Sequence, residues 1–203
     1  MAIKLAVPHY SYNQLRQFAG KFLAEYNPKD LIPVPIEEIA EVSLGLDIIP
    51  IPGLQRAFEI EGFIDSDLSA ITVDQFVLES RPRRYRFTLA HEIAHLHLHR
   101  AIFEQVKFSS VDEWKRFQLE VDSQEYNWLE WQAYSFAGLV LVPSDHLKDQ
   151  FTIYEKRAQE EGFSPGSEAT LFYINEFLST IFEVSTSVVD RRIAKENLFR
   201  QRE

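Results

Sequence analysis

Leu15, Phe18, Ala19, Phe22 and Leu23 recur at i, i+3, i+4, i+7 and i+8, a spacing that lays one apolar stripe along a helix over residues 11–26. The proline-containing stretch 28–35 breaks it as a turn-rich connector. Pro35 can open a second short helix with Ile36, Ile39 and Ala40 inward, and Gly45 suits its left-handed end. Residues 46–51 then read as a strand stopped by Pro52-Gly53. Residues 56–64 and 69–74 read as two more strands around the turn Asp65-Ser66-Asp67, leading out to a basic turn, Arg81-Pro82-Arg83-Arg84. Helical periodicity returns near Thr88, a plausible cap, and runs to about His99. It reappears over 124–142, ended by Pro143, and over about 145–160, with Ser144 as cap and Gly162 as stop. Two further helices, about 168–180 and 186–196, flank the turn Glu183-Val184-Ser185. The order predicts an α+β fold, mainly helical, with a small three-stranded sheet.

A length of 203 residues predicts one domain over 1–203, with a catalytic core at 11–142 and a helical C-terminal part at 144–203. The chain has no cysteine, which excludes disulfide scaffolds, thiol catalysis and cysteine-held metals. Any metal must therefore sit on histidines and carboxylates. The net charge of −10 repels phosphate backbones, so nucleic-acid binding would need a local basic patch. The first residues meet polar positions too soon for a signal peptide, and the longest central apolar run, 137–142, is far short of a bilayer span. A cytoplasmic protein is expected.

The segment that changes the picture is His91-Glu92-Ile93-Ala94-His95, an HExxH pattern. On a helix, positions i and i+4 share a face, so two imidazoles converge on one ion. Glu92 projects to the side of that ion, where it can serve as general base toward a water activated there for attack on a peptide carbonyl. A third protein ligand is needed. The extended metzincin pattern would require Gly at 98 and His at 101, but those positions are Leu98 and Ala101, so that class is excluded. His97 points about 200° away from His95 around the helix. His99, one turn beyond His95, is expected to orient a ligand or fill the core. His9 and His146 are isolated and expected at the surface.

Carboxylates on another helix are the better source: Glu120, Asp122, Glu125 and Glu130 are in range. Glu130 stands out because Ala133 and Ala137, at i+3 and i+7, would let its helix come close to a neighbour. Tyr126, Tyr134, His97 and Arg86 are all candidates for stabilising the developing oxyanion, and spacing does not choose among them.

Three stretches resemble the ImmA/IrrE family of zinc metallopeptidases. They are residues 71–74 followed by 83–99, then Glu130-Trp131-Gln132-Ala133-Tyr134-Ser135-Phe136-Ala137 running to Pro143, and Phe182-Glu183-Val184-Ser185 with Arg191-Arg192-Ile193. The N-terminal helix and the stretch 34–46 are also similar, so the likeness covers most of 11–196. The resemblance implies His91, His95 and Glu130 as zinc ligands and Glu92 as general base. It also implies an intracellular regulatory peptidase acting on a helix-turn-helix repressor. Two positions depart from the family pattern: Ala94 stands where Gly is common, and Tyr134 where Asn or Asp is usual. Some relatives carry an N-terminal DNA-binding domain, and none is expected here ahead of the helix that begins near residue 11.

The leading expectation is thus a zinc endopeptidase with a protein substrate. A metal-containing regulatory protein that sequesters a repressor without cutting it unaided is the alternative, against which the intact Glu92 argues. Arg191, Arg192, Lys195 and Arg200 give the tail a basic flank, but the acidic surroundings favour scaffold packing, and no direct nucleic-acid binding is expected.

Overall fold

The computed structural model describes residues 7–106, 108 and 110–199. The start of the stretch compared with a signal peptide (1–6) and Arg200 lie outside the described residues.

Helix α1 (Tyr12–Tyr26) starts where Ser11 and Gln14 cap each other: the Ser11 hydroxyl accepts from Gln14 N, and the Gln14 side chain accepts from Ser11 N. α2 (Ile36–Glu38) runs on into a π-helical turn at Ile39–Ser43, burying Ile36, Ile39 and Ala40 as the pattern predicts. Strands β1 (Asp47–Ile51), β2 (Gly62–Ile64) and β3 (Ala70–Asp74) form one sheet in the order β1-β3-β2. β1 is parallel to β3, with Ile49 opposite Thr72; β2 is antiparallel, with Phe63 opposite Thr72. β3 is buried at all five positions, so polar Thr72 and Asp74 are enclosed along with Ala70, Ile71 and Val73 instead of alternating out to solvent.

The strand expected over 56–64 is mostly something else. Gly53, at φ +74°, turns the chain into a short helix, α3 (Leu54–Phe58), which ends at Glu59 with φ +62°. The Asp74 carboxylate accepts the Gln55 N–H at 2.8 Å and seats that helix on the end of β3, leaving only 62–64 to pair. Asp74 also accepts from Val77 N at 3.1 Å and so caps α4 (Gln75–Ser80), which the pattern did not predict.

Helix α5 (Pro82–Leu98) starts six residues before the expected Thr88. Pro82 occupies its first position, where a missing N–H costs nothing, so the basic turn is the first turn of the helix. Thr88 lies inside, its hydroxyl donating to Arg84 O. Three arginines oppose the helix dipole there. Arg84 is offset by an ion pair with Glu61, and Arg83 donates to the hydroxyls of Ser179 and Thr180. Two short helices also missing from the sequence reading follow: α6 (Arg100–Phe103) and α7 (Val111–Glu120). Then come α8 (Ser123–Leu141), α9 (Ser144–Glu160), α10 (Glu168–Ile181) and α11 (Thr186–Glu196), close to the expected bounds.

The result is an α+β, mainly helical fold. α5 lies against the sheet and also against α8, and α1 packs on α8. Phe22 of α1 and Phe136 of α8 meet edge to face at 5.6 Å inside this core. Among the described residues no helix is long and apolar enough to cross a membrane.

Candidate metal centre

His91 and His95 lie one turn apart on α5, and Glu130 reaches them from α8. Ala133 and Ala137 are fully buried on α8, which packs against α5, as the small-residue argument requires. His91 Nε2 and His95 Nε2 are 3.2 Å apart. Glu130 Oε2 is 3.1 Å from His91 Nε2, and its Oε1 is 3.6 Å from His95 Nε2. Ligands bound at about 2.0–2.1 Å on a tetrahedral ion stand about 3.3–3.4 Å from one another. The two imidazole nitrogens are close to that spacing, and the Glu130 carboxylate brings one oxygen near each of them. Two imidazoles and one carboxylate are also the set that leaves a fourth position for water or substrate. The residues therefore fit a divalent ion of the zinc type, and together they form a His/His/Glu group able to hold one.

The electrostatics follow from burial and crowding. Burial alone would lift Glu130, but the charge and hydrogen bond of His91, with help from His95 and Tyr126, hold it down at about 2. Burial opposes protonation of His91, yet Glu130 outweighs it and the net shift is upward. His95 is driven well below the usual imidazole range, first by burial. Glu92 is buried too, and its carboxyl is pushed up to about 7, with His91 opposing and Glu130 reinforcing the effect of burial. Its Oε2 accepts the Ile64 N–H at 2.9 Å. That N–H is available because β2 is an edge strand with β3 on only one side.

A further layer positions the donors. His95 Nδ1 lies 3.1 Å from Nδ1 of the buried His99, whose expected orienting role this contact supports. Tyr126 hydrogen-bonds Glu130, and its hydroxyl accepts from Gln118 Nε2 at 2.8 Å. Gln118 escaped the sequence reading because α7 itself did.

The donors and Glu92 line a cleft of about 670 Å³ walled by Tyr126, Tyr134, Trp114 and Val188. Of the four oxyanion candidates, Tyr126 and Tyr134 face this cleft. His97 instead packs against the rings of Phe22 and Phe136, and Arg86 donates to Val34 O and pairs with Glu183. Glu120, Asp122 and Glu125 stand outside the donor group; Asp122 caps α8. His9 is exposed and stacks on Trp128, and His146 pairs with Asp30. In the tail, Arg192 is not part of a basic flank. It is buried and bonded to Glu196, Ser144 and Val142 O.

No curated protein matches this chain. Among solved structures, a Mycobacterium tuberculosis transcriptional regulator is similar in fold, with a TM-score of 0.55 and 13% identity. The alignment covers 90% of this chain and 46% of that one, so this chain spans less than half of that protein's length. The Peptidase M78 family model, described as an IrrE N-terminal-like domain, matches residues 77–194. That match spans more than half of the sequence and takes in α5, α8 and all three donors, and the chain accordingly belongs to the M78 peptidase family, with its metallopeptidase-type domain.

Proposed function

We propose that this protein is a zinc-dependent endopeptidase of the cytoplasm and that its substrate is a protein, a helix-turn-helix transcriptional repressor. The observation that carries the hydrolytic reading is three donors within 4.8 Å of one another with a buried carboxylate, Glu92, beside them rather than among them. A divalent ion held by His91, His95 and Glu130 supplies Lewis acidity and lowers the pKa of water to about 7. Glu92 takes the proton of the attacking water and delivers it to the leaving nitrogen. A carboxyl near 7 suits that double task at neutral pH. Ile64 N–H holds one oxygen of Glu92, leaving the other for the proton. The repressor assignment draws on the family resemblance, and on the likeness in fold to a transcriptional regulator. The lack of cysteine fits a reducing compartment.

The test is to load wild type and Glu92→Gln with zinc, confirm equal metal content, and incubate each with the repressor encoded beside the gene. Cleavage by wild type alone supports the peptidase. Binding without cleavage by either protein replaces it with the sequestering regulator.

A further inference from the structure

The catalytic cleft does not end at Tyr134. A second cavity of about 640 Å³ opens between α8 and α11 and shares Phe87, Glu130, Tyr134 and Val188 with the first. Two cations of α11 line it on aromatic faces. The Arg191 guanidinium lies 4.8 Å over the Tyr134 ring, and the Lys195 ammonium 5.6 Å over the Tyr12 ring. Among the described residues neither has a carboxylate partner, whereas Arg192 between them is taken up by Glu196. Among the described residues Glu130 is the sole carboxylate lining this second cavity, and the proposed metal engages it.

From this arrangement we infer a subsite for an acidic side chain of the peptide substrate, formed by Arg191 and Lys195 and reached along the same groove. The inference rests on the peptidase reading for its placement. The Tyr134 ring is 6.2 Å from the His91 ring, so with the 4.8 Å to Arg191 the guanidinium stands no more than about 11 Å from the centre of the His91 ring. An extended chain advances about 3.3–3.6 Å per residue, so the recognised Asp or Glu lies within about three residues of the scissile bond. The Tyr134 face holds the Arg191 guanidinium in place, and with no carboxylate paired to it among the described residues its donors can grip an incoming one. In a chain of net charge −10, two unpaired cations beside the cleft also select locally against the surrounding field. The aromatic walls, Tyr12, Trp131 and Tyr134, give the flanking peptide an apolar lining.

The experiment uses zinc-loaded Glu92→Gln, which holds a peptide without cutting it. Fluorescence anisotropy compares a labelled peptide carrying glutamate at alternate positions with its glutamine twin, using inorganic phosphate and a DNA duplex as competitors. The acidic peptide is expected to bind about tenfold tighter. Adding Arg191→Met and Lys195→Met should erase that preference without changing zinc content or melting temperature, since both side chains are exposed. Equal binding of the twins, or a preference that survives in the doubly substituted protein, overturns the subsite. Displacement by the duplex at high salt also overturns it and makes the surface a nucleic-acid contact. Cleavage of the repressor by wild type is scored separately. A preference without any cleavage sinks the peptidase and keeps the subsite; cleavage without a preference does the reverse.

Discussion

Replacing Glu196 by Gln removes one charge and almost no volume from the junction that fixes α11 to the rest of the molecule. The Glu196 and Arg192 side chains are only 3% and 4% exposed and lie 2.9 Å apart. Arg192 also donates to Ser144 Oγ at 2.9 Å and Val142 O at 3.1 Å, and contacts the Tyr12 hydroxyl. Arg16 of α1 reaches both Glu196 oxygens, at 3.0 and 3.1 Å. Gly138 makes room for the arginine stem: a Cβ there would stand 3.4 Å from Arg192 Cδ. Leaving a buried charge unpaired costs about 3–5 kcal/mol, and the remaining acceptors around Arg192 place the loss near the lower end. At about 2–4 °C per kcal/mol for a chain of this size, Glu196→Gln should melt about 6–12 °C below wild type at neutral pH. Burial alone would raise the Glu196 carboxyl, but Arg192, Ser144 and Arg16 override it, so its folded-state value lies below the usual 4.5. A depressed carboxylate stabilises the fold above its unfolded value and loses that stabilisation as pH falls through the folded one. The gap between wild type and variant should therefore be full at neutral pH and close in acid. Thermal unfolding followed by circular dichroism at stepped pH measures it. A variant within about 2 °C of wild type at neutral pH, or a gap unchanged in acid, would refute this role of the Arg192–Glu196 pair.

Two other substitutions probe the site from its supports. A Cβ added at Gly62 would stand 2.7 Å from Thr88 Cγ2 and 2.8 Å from Thr72 O. Gly62→Ala should cost about 1–3 kcal/mol and push β2 off α5, disturbing the Ile64 bond to Glu92. Adding Thr88→Ser removes the methyl but not the carbonyl, so it should restore melting temperature and kcat/KM only in part; full rescue would show that the backbone contact is harmless. His99→Phe keeps the buried ring but deletes the Nδ1 facing His95, and it should weaken zinc binding about 10–100-fold in a chelator competition. Unchanged affinity would reduce His99 to core filling.

What was legible in the sequence follows from how local each signal is. His91 and His95 share a helix face by spacing alone, and Glu130 announced itself through Ala133 and Ala137, both fully buried. Ile36, Ile39 and Ala40 turned inward as their spacing required. The failures lie where tertiary partners decide. Residues 54–58 coil because Asp74, nearly twenty positions away, supplies a cap, and the start of α5 hid behind arginines whose partners, Glu61, Ser179 and Thr180, are remote in sequence. Arg192 looked like one of several tail cations; only the fold reveals that its charge is spent internally, while Arg191 and Lys195 remain on the cleft side.

The central claim is that one divalent ion sits among three side chains with room left for a reactant. Anomalous scattering at the zinc edge, from crystals grown with one equivalent of zinc, measures this directly. The expected map has a single strong peak about 2.0–2.2 Å from Nε2 of His91, Nε2 of His95 and a carboxylate oxygen of Glu130, with Glu92 unligated. A peak elsewhere, one that recruits Glu92 in place of Glu130, or no peak with that equivalent of zinc present, would contradict it.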